Sequence, residues 1–99
     1  MTDSEKLVRL LQERKMSVTT AESCTGGLVA AEITDVEGSS EVFRRGFITY
    51  CDEAKHEMLG VPYEILLEHT AVSQQTAEAM VRGAAGKAQA DCAISVTGI

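Results

Sequence analysis

Three short β-branched runs, separated by stretches of helical periodicity, constrain the fold of this chain more than any other feature. Residues 17–21 (Ser-Val-Thr-Thr-Ala), 46–50 (Gly-Phe-Ile-Thr-Tyr) and 91–97 (Asp-Cys-Ala-Ile-Ser-Val-Thr) read as strands. Ahead of the first, residues 4–15 set Leu7, Val8, Leu10 and Leu11 among charges at helical spacing, with Asp3 or Ser4 available as cap. Residues 25–34 carry Leu28, Val29, Ala30, Ala31 and Ile33 over more than one helical face, which predicts burial against a sheet. A short helical turn at 41–43 follows the Gly38-Ser39-Ser40 cap. Between the second and third strands fall predicted helices at 51–59, with Ala54, Met58 and Leu59 inward, and at 63–68. A third, at 74–89, is capped by Ser73 and shows a small-residue face of Ala77, Met80, Val81, Ala84, Ala85 and Ala88. This alternation predicts an α/β fold, layered α/β/α, with a largely parallel sheet. At 99 residues, with no repeat or linker, it is a single domain. The third strand is apolar enough to be interior. Because the sequence ends just after it, at Thr97-Gly98-Ile99, residues 1–99 are expected to be the N-terminal portion of a domain truncated after its third strand.

Charge and cysteine usage narrow the function. The formal net charge of -6 opposes the phosphate neutralisation on which nucleic-acid binding depends, so no nucleic-acid partner is expected. Cys24, Cys51 and Cys92 lie far apart, with no C-x-x-C pair and no matching histidine spacing. That argues against a zinc site or a disulfide framework and for a reducing compartment. No apolar run approaches a signal or membrane-spanning length, so no membrane partner is expected and a cytoplasmic location is.

Ligands of open α/β sheets bind outside the carboxyl ends of the strands, here the loops at 22–27, 50–55 and from 97 onward. The first lies in TTAESCTGG, residues 19–27, a strand-to-helix junction. Backbone N–H groups at a helix start lack intrahelical acceptors and suit an oxyanion or phosphate. The plainer local reading is that Ser23 or Thr25 caps the helix while Gly26 and Gly27 allow close packing. Ser23, Tyr50 and Lys55 together match a nucleophile with a base, provided burial keeps the amine neutral, with Tyr50 relaying the proton or orienting the amine. On the residues alone, a strand-end tyrosine is more often core and a helix lysine more often solvated. Cys24 is a rival nucleophile, but no argument places His56 or His69 as its base, and a small buried cysteine is expected instead. A Glu22 carboxylate beside Lys55 would favour the ammonium, so Glu22 is expected to be structural or to hold backbone N–H groups.

TTAESCTGG at 19–27, GSSEVFRRGFITY at 38–50, EAK at 53–55, AVS at 71–73 and the closing ISVTGI resemble the C-terminal domain of the competence/damage-inducible protein CinA. Stand-alone members of that family are nicotinamide-nucleotide amidohydrolases. The resemblance covers nearly the whole chain, TAESCTGG with a downstream Y-x-x-x-x-K is a specific combination, and Met1 leading straight into the domain suggests the stand-alone form. It implies hydrolysis of the carboxamide of nicotinamide mononucleotide to nicotinate mononucleotide and ammonia, a salvage step that needs no metal and no cofactor. Ser23 then matches the nucleophile, and Tyr50 and Lys55 its supporting pair. Backbone groups at Thr25, Gly26 and Gly27 serve the oxyanion, and Thr97 and Gly98 lead into a glycine-rich loop that helps hold the nucleotide. Since that loop lies outside the sequence, residues 1–99 alone are expected to show little or no activity. Arg44-Arg45, where many relatives carry a glycine, is read as solvated surface. The rival readings are a non-catalytic nucleotide-binding or accessory interaction module, and a structural subunit that self-associates through helix 74–89. Besides the small-molecule nucleotide, the partner expected is a second copy of the chain, a homo-oligomer with a dimer favoured.

Overall fold

The structure, a computed structural model, describes residues 1–98; Ile99, the last residue of the ISVTGI run, lies outside the described residues. In chain order the elements are α1 (Asp3–Arg14), β1 (Val18–Glu22), α2 (Leu28–Thr34), a 3-10 turn (Ser39–Glu41), β2 (Phe47–Ile48), α3 (Asp52–Leu59), α4 (Tyr63–His69), α5 (Gln74–Ala88) and β3 (Cys92–Val96). The strands form one parallel sheet in the order β2-β1-β3, with Ala21 opposite Phe47 and Val18 to Glu22 opposite Cys92 to Val96. The parallel α/β arrangement is the one expected, but the central strand is β1. Among the described residues β3 lies at an edge, each of its residues half-buried. Its apolar composition resembles an interior strand because α5 covers it, with Ser95 Oγ donating to the Ala77 carbonyl at 2.7 Å.

All five residues of β1 are buried. Successive strand residues point to opposite faces. Val18 accordingly joins a core with Val8, Leu11, Ile33, Val36 and Val42, while Ala21 joins a separate one with Leu59, Val61, Leu66, Met80 and Ala84. Residues 18, 20 and 22 thus face α1 and α2; residues 19, 21 and 23 face α3, α4 and α5. Three layers result, and the last two residues of this alternation build the site.

Local chemistry explains where elements depart from expectation. The α1 cap is Thr2 rather than Asp3 or Ser4: its Oγ1 accepts from the Glu5 N–H, and Glu5 Oε1 accepts from the Thr2 N–H, both at 3.1 Å. Ser73 caps α5 as expected, accepting from Thr76 N–H at 3.1 Å. The helix predicted from 25 starts at Leu28, because Gly26 (φ +62°) and Gly27 (φ +111°) take left-handed conformations that a helix cannot propagate. That turn swings the first residues of α2 off the sheet. Leu28 is 67% exposed and only Ile33 of this helix is fully buried, correcting the expected burial over several faces. Along α5, Thr76, Met80 and Ala84 are buried. At Gly83 the helix lies so close to α3 that a Cβ would strike the Leu59 carbonyl oxygen. No helix among the described residues is long and apolar enough to cross a membrane.

Candidate active site

Hydrogen bonding to both neighbouring strands fixes the carboxyl end of β1. Ser23 N–H donates to the Val96 carbonyl at 2.9 Å, and Thr49 N–H to the Glu22 carbonyl at 2.8 Å. Ser23 therefore starts from rigid backbone, and the strand alternation turns its side chain toward α3. There Lys55 Nζ donates to Ser23 Oγ at 3.0 Å and to the Thr49 carbonyl at 2.9 Å. Ser23 is 5% exposed and Lys55 1%. The buried stripe of α3 is Lys55 and Leu59, one turn apart. Met58, expected inward, is 40% exposed. No carboxylate pairs with Lys55; among the described residues the single ion pair is His69 with Glu68 at 4.0 Å.

Glu22 turns to the other face, fully buried. Its Oε1 accepts from Thr25 Oγ1 at 2.7 Å and from Val29 N–H at 2.8 Å, and its Oε2 from Ala30 N–H at 2.9 Å. Burial alone would raise its pKa, but the hydrogen bonds from Thr25, Ala30 and Val29 together outweigh it and hold the carboxylate below its ordinary value. Glu22 thus holds backbone N–H groups, as expected. It also corrects the idea that the helix start itself is open to a ligand anion, because the protein's own carboxylate occupies it.

The turn between Ser23 and α2 spends part of its polar capacity internally. Gly26 N–H donates to the Ser23 carbonyl at 3.0 Å and Leu28 N–H to the Thr25 carbonyl at 3.2 Å. Of the expected oxyanion donors, Gly26 is therefore engaged, whereas the N–H groups of Cys24, Thr25 and Gly27 have no protein acceptor among the described residues.

The other expected residues are placed less centrally. Tyr50 is 75% exposed and makes no hydrogen bond to Ser23 or Lys55, since the strand expected at 46–50 pairs only at Phe47–Ile48 and the chain turns outward after Thr49. Thr97 Oγ1 donates to the Ala71 carbonyl at 2.7 Å, ahead of α5. Gly98 adjoins the turn, where a Cβ would lie 3.5 Å from Cys24 Sγ. Cys24 is exposed, contrary to the buried thiol expected, because it follows the last strand-paired residue and opens the turn. No histidine bonds to it among the described residues, and His56 Nδ1 lies 2.9 Å from the Val61 carbonyl oxygen with its ring stacked on Tyr63 at 3.9 Å. Arg44 and Arg45 sit at the opposite end of the strands: the Arg45 carbonyl accepts from Thr19 Oγ1 at 2.7 Å, and Arg44 lines a hollow of ≈ 370 Å³ with Lys15, Glu41 and Asp91. One residue was missed. Thr49 supplies the carbonyl that holds Lys55, and its own hydroxyl is buried without a partner. Its only sequence signal was a place in the 46–50 run.

A parallel α/β sheet with a buried serine–lysine contact at the carboxyl end of its central strand defines the class of the molecule. The chain belongs to the CinA C-terminal domain family, whose model matches residues 2–99. It is 52% identical over 96 residues to the nicotinamide-nucleotide amidohydrolase PncC of Escherichia coli K12, covering 97% of this chain and 58% of that protein. It is 55% identical over 95 residues to a putative competence-damage inducible protein of Caldicellulosiruptor bescii, covering 96% of this chain and 23% of that one. The crystal structure of a CinA superfamily protein from Escherichia coli superposes with a TM-score of 0.91 at 33% identity, over 96% of this chain and 59% of that chain. That of the competence/damage inducible protein CihA from Agrobacterium tumefaciens gives 0.83 at 45% identity, over 100% and 62%. The chain thus spans less than two thirds of the length of each of these relatives.

Proposed function

We propose that this protein hydrolyses the carboxamide of nicotinamide mononucleotide, releasing nicotinate mononucleotide and ammonia. The observation that carries the reading is the 3.0 Å contact between Lys55 Nζ and Ser23 Oγ, both buried. The similarity to a nicotinamide-nucleotide amidohydrolase supports the substrate class.

In this mechanism Lys55 takes the Ser23 proton while Oγ attacks the amide carbon. The N–H groups of Cys24, Thr25 and Gly27 stabilise the oxyanion. Lys55 returns the proton to the amide nitrogen, the C–N bond breaks and ammonia leaves. Water then attacks the acyl ester, giving its proton to Lys55, and the carboxylate product departs as Ser23 is restored. The Thr49 carbonyl orients Nζ throughout. Tyr50, at the open side, contacts the bound nucleotide, and Thr97 and Gly98 lead toward further nucleotide contacts. The free thiols suit a cytoplasmic protein, and a homodimer is the assembly we propose.

The test is ammonia release from nicotinamide mononucleotide by the full-length protein, as wild type, Ser23→Ala and Cys24→Ala. We expect loss in the first variant and retention in the second. Turnover in Ser23→Ala would overturn the serine mechanism. Absence of turnover in wild type, with nucleotide still bound, would favour the accessory-module reading, for which the Caldicellulosiruptor bescii relative, named without an activity, is the specific support.

A further inference from the structure

Two ionisable side chains are buried to the level of a core residue, Lys55 and Glu22, and the hydrolytic steps use only the first. An ionised carboxylate inside a protein is costly unless its lone pairs are filled, and an apolar residue of similar volume usually serves packing as well or better. The partners of Glu22 show what it is for. All three belong to the segment just after Ser23: the Thr25 hydroxyl in the turn, and the Val29 and Ala30 N–H groups in the first turn of α2. The carboxylate therefore ties the last residue of β1 across the nucleophile to the start of the next helix, clamping residues 23–28 from outside.

Within the clamp, Gly26 and Gly27 are held in left-handed conformations. The N–H groups of Cys24, Thr25 and Gly27 remain without acceptors. With its ends free, such a turn would rearrange so that these donors meet nearby backbone carbonyls. Because Glu22 faces away from Lys55, it exchanges no proton with the reacting pair and acts only through the backbone. We propose that Glu22 is a positioning residue, holding the turn after Ser23 so that its unpaired N–H groups stay directed at the oxyanion formed on the Ser23 adduct. The inference rests on the amidohydrolase reading and adds to it a residue that never touches substrate.

The test variant is Glu22→Gln, of nearly the same shape. Its amide oxygen can still accept from Thr25 or Val29, but its NH₂ opposes the Ala30 N–H, donor against donor. Donors that act in the transition state are felt in kcat and not in KM, and losing one oxyanion donor costs roughly 10²–10³-fold. A loosened turn should lose part of that: kcat about 10–100-fold lower, KM within about twofold, and Ser23 phosphonylation by a fluorophosphonate slowed in parallel, a step in which Oγ bonds to phosphorus, the P–F bond breaks to release fluoride and the Oγ proton passes to Lys55. Thr25→Val removes a single bond to the carboxylate and should give a smaller fall with the same kcat and KM split. A folded Glu22→Gln protein with wild-type kcat and fluorophosphonate rate would overturn the proposal, as would a rise in KM at constant kcat. If Glu22→Gln does not fold, Thr25→Val decides alone, and unchanged kcat there overturns it. Ammonia release by Ser23→Ala would instead sink the amidohydrolase reading, so the two failures are distinguishable.

Discussion

The two faces of β1 surround a buried ionisable side chain in opposite ways. On the α2 side the Glu22 carboxylate is surrounded by three donors, two of them backbone N–H groups at a helix start. On the α3 side Lys55 Nζ meets only a hydroxyl and a carbonyl. A charge whose lone pairs are filled by fixed dipoles is inert and structural; an amine whose partners are a hydroxyl and a carbonyl can, in the proposed mechanism, exchange a proton with that hydroxyl. The period of two in a strand turns Glu22 and Ser23, adjacent in the chain, to opposite faces, and so keeps the acid away from the amine that meets Ser23.

The largest expected effect breaks the reactive face. Lys55→Arg keeps the hydrogen-bonding reach but carries a permanent positive charge and cannot act as a base, so kcat/KM for amide hydrolysis should fall by about 10²–10⁴-fold with the fold retained by circular dichroism. An active arginine variant would make the two faces equivalent. The structural face is tested by stability. Glu22→Gln should lose about 1.5–3 kcal/mol in urea unfolding at neutral pH, the range for hydrogen bonds to a charged group. The sign with pH follows from the lowered folded-state pKa of Glu22. Its contribution is fully present above the unfolded value of about 4.3 and is lost as pH falls through the folded value. Wild type should therefore weaken on acidification below about pH 4 more steeply than Glu22→Gln, and parallel curves would remove Glu22 from the balance.

A third substitution moves the scaffold of the reactive face alone. Gly83→Ala places a methyl group against the Leu59 carbonyl, which should cost about 1–3 kcal/mol and push α3, with Lys55, away from Ser23. Activity should drop more than the folded fraction does. The smallest effect sets the baseline: Thr2→Ala removes the α1 cap, and should cost about 1 kcal/mol of stability while leaving kcat unchanged.

Much of this contrast was legible in the sequence, and the remainder depends on contacts that sequence does not encode locally. Alternating apolar runs gave the parallel α/β fold, and Ser73 announced the start of α5 because a hydroxyl before a helical pattern satisfies that pattern's own N–H groups. The loops after the strands suggested Ser23 with Lys55, but on the residues alone a helix lysine is more often solvated, and motif resemblance gave the pairing its weight, since residues 32 apart carry no local sign of touching. Leu28 was misjudged because periodicity cannot show that two left-handed glycines rotate the helix start away from the sheet. Tyr50 and Cys24 turned outward because each follows the last strand-paired residue, a boundary set by neighbouring strands. Glu22 was expected to hold N–H groups, but its full burial depends on which face of β1 it takes.

The register of β1 against β3 has a kinetic consequence. Ser17 N–H donates to Asp91 Oδ2 at 2.8 Å across 74 residues of chain, and the parallel ladder runs from there to the Ser23 N–H itself. Contacts so distant in sequence form late, because the closure entropy of the intervening chain must be met before the pairing rewards it. In refolding or synthesis, β1 and α2 can meet while Ser23 still lacks its neighbour on the β3 side. Labelling of Ser23 by a fluorophosphonate during refolding should therefore lag behind the recovery of helical signal until β3 docks against β1.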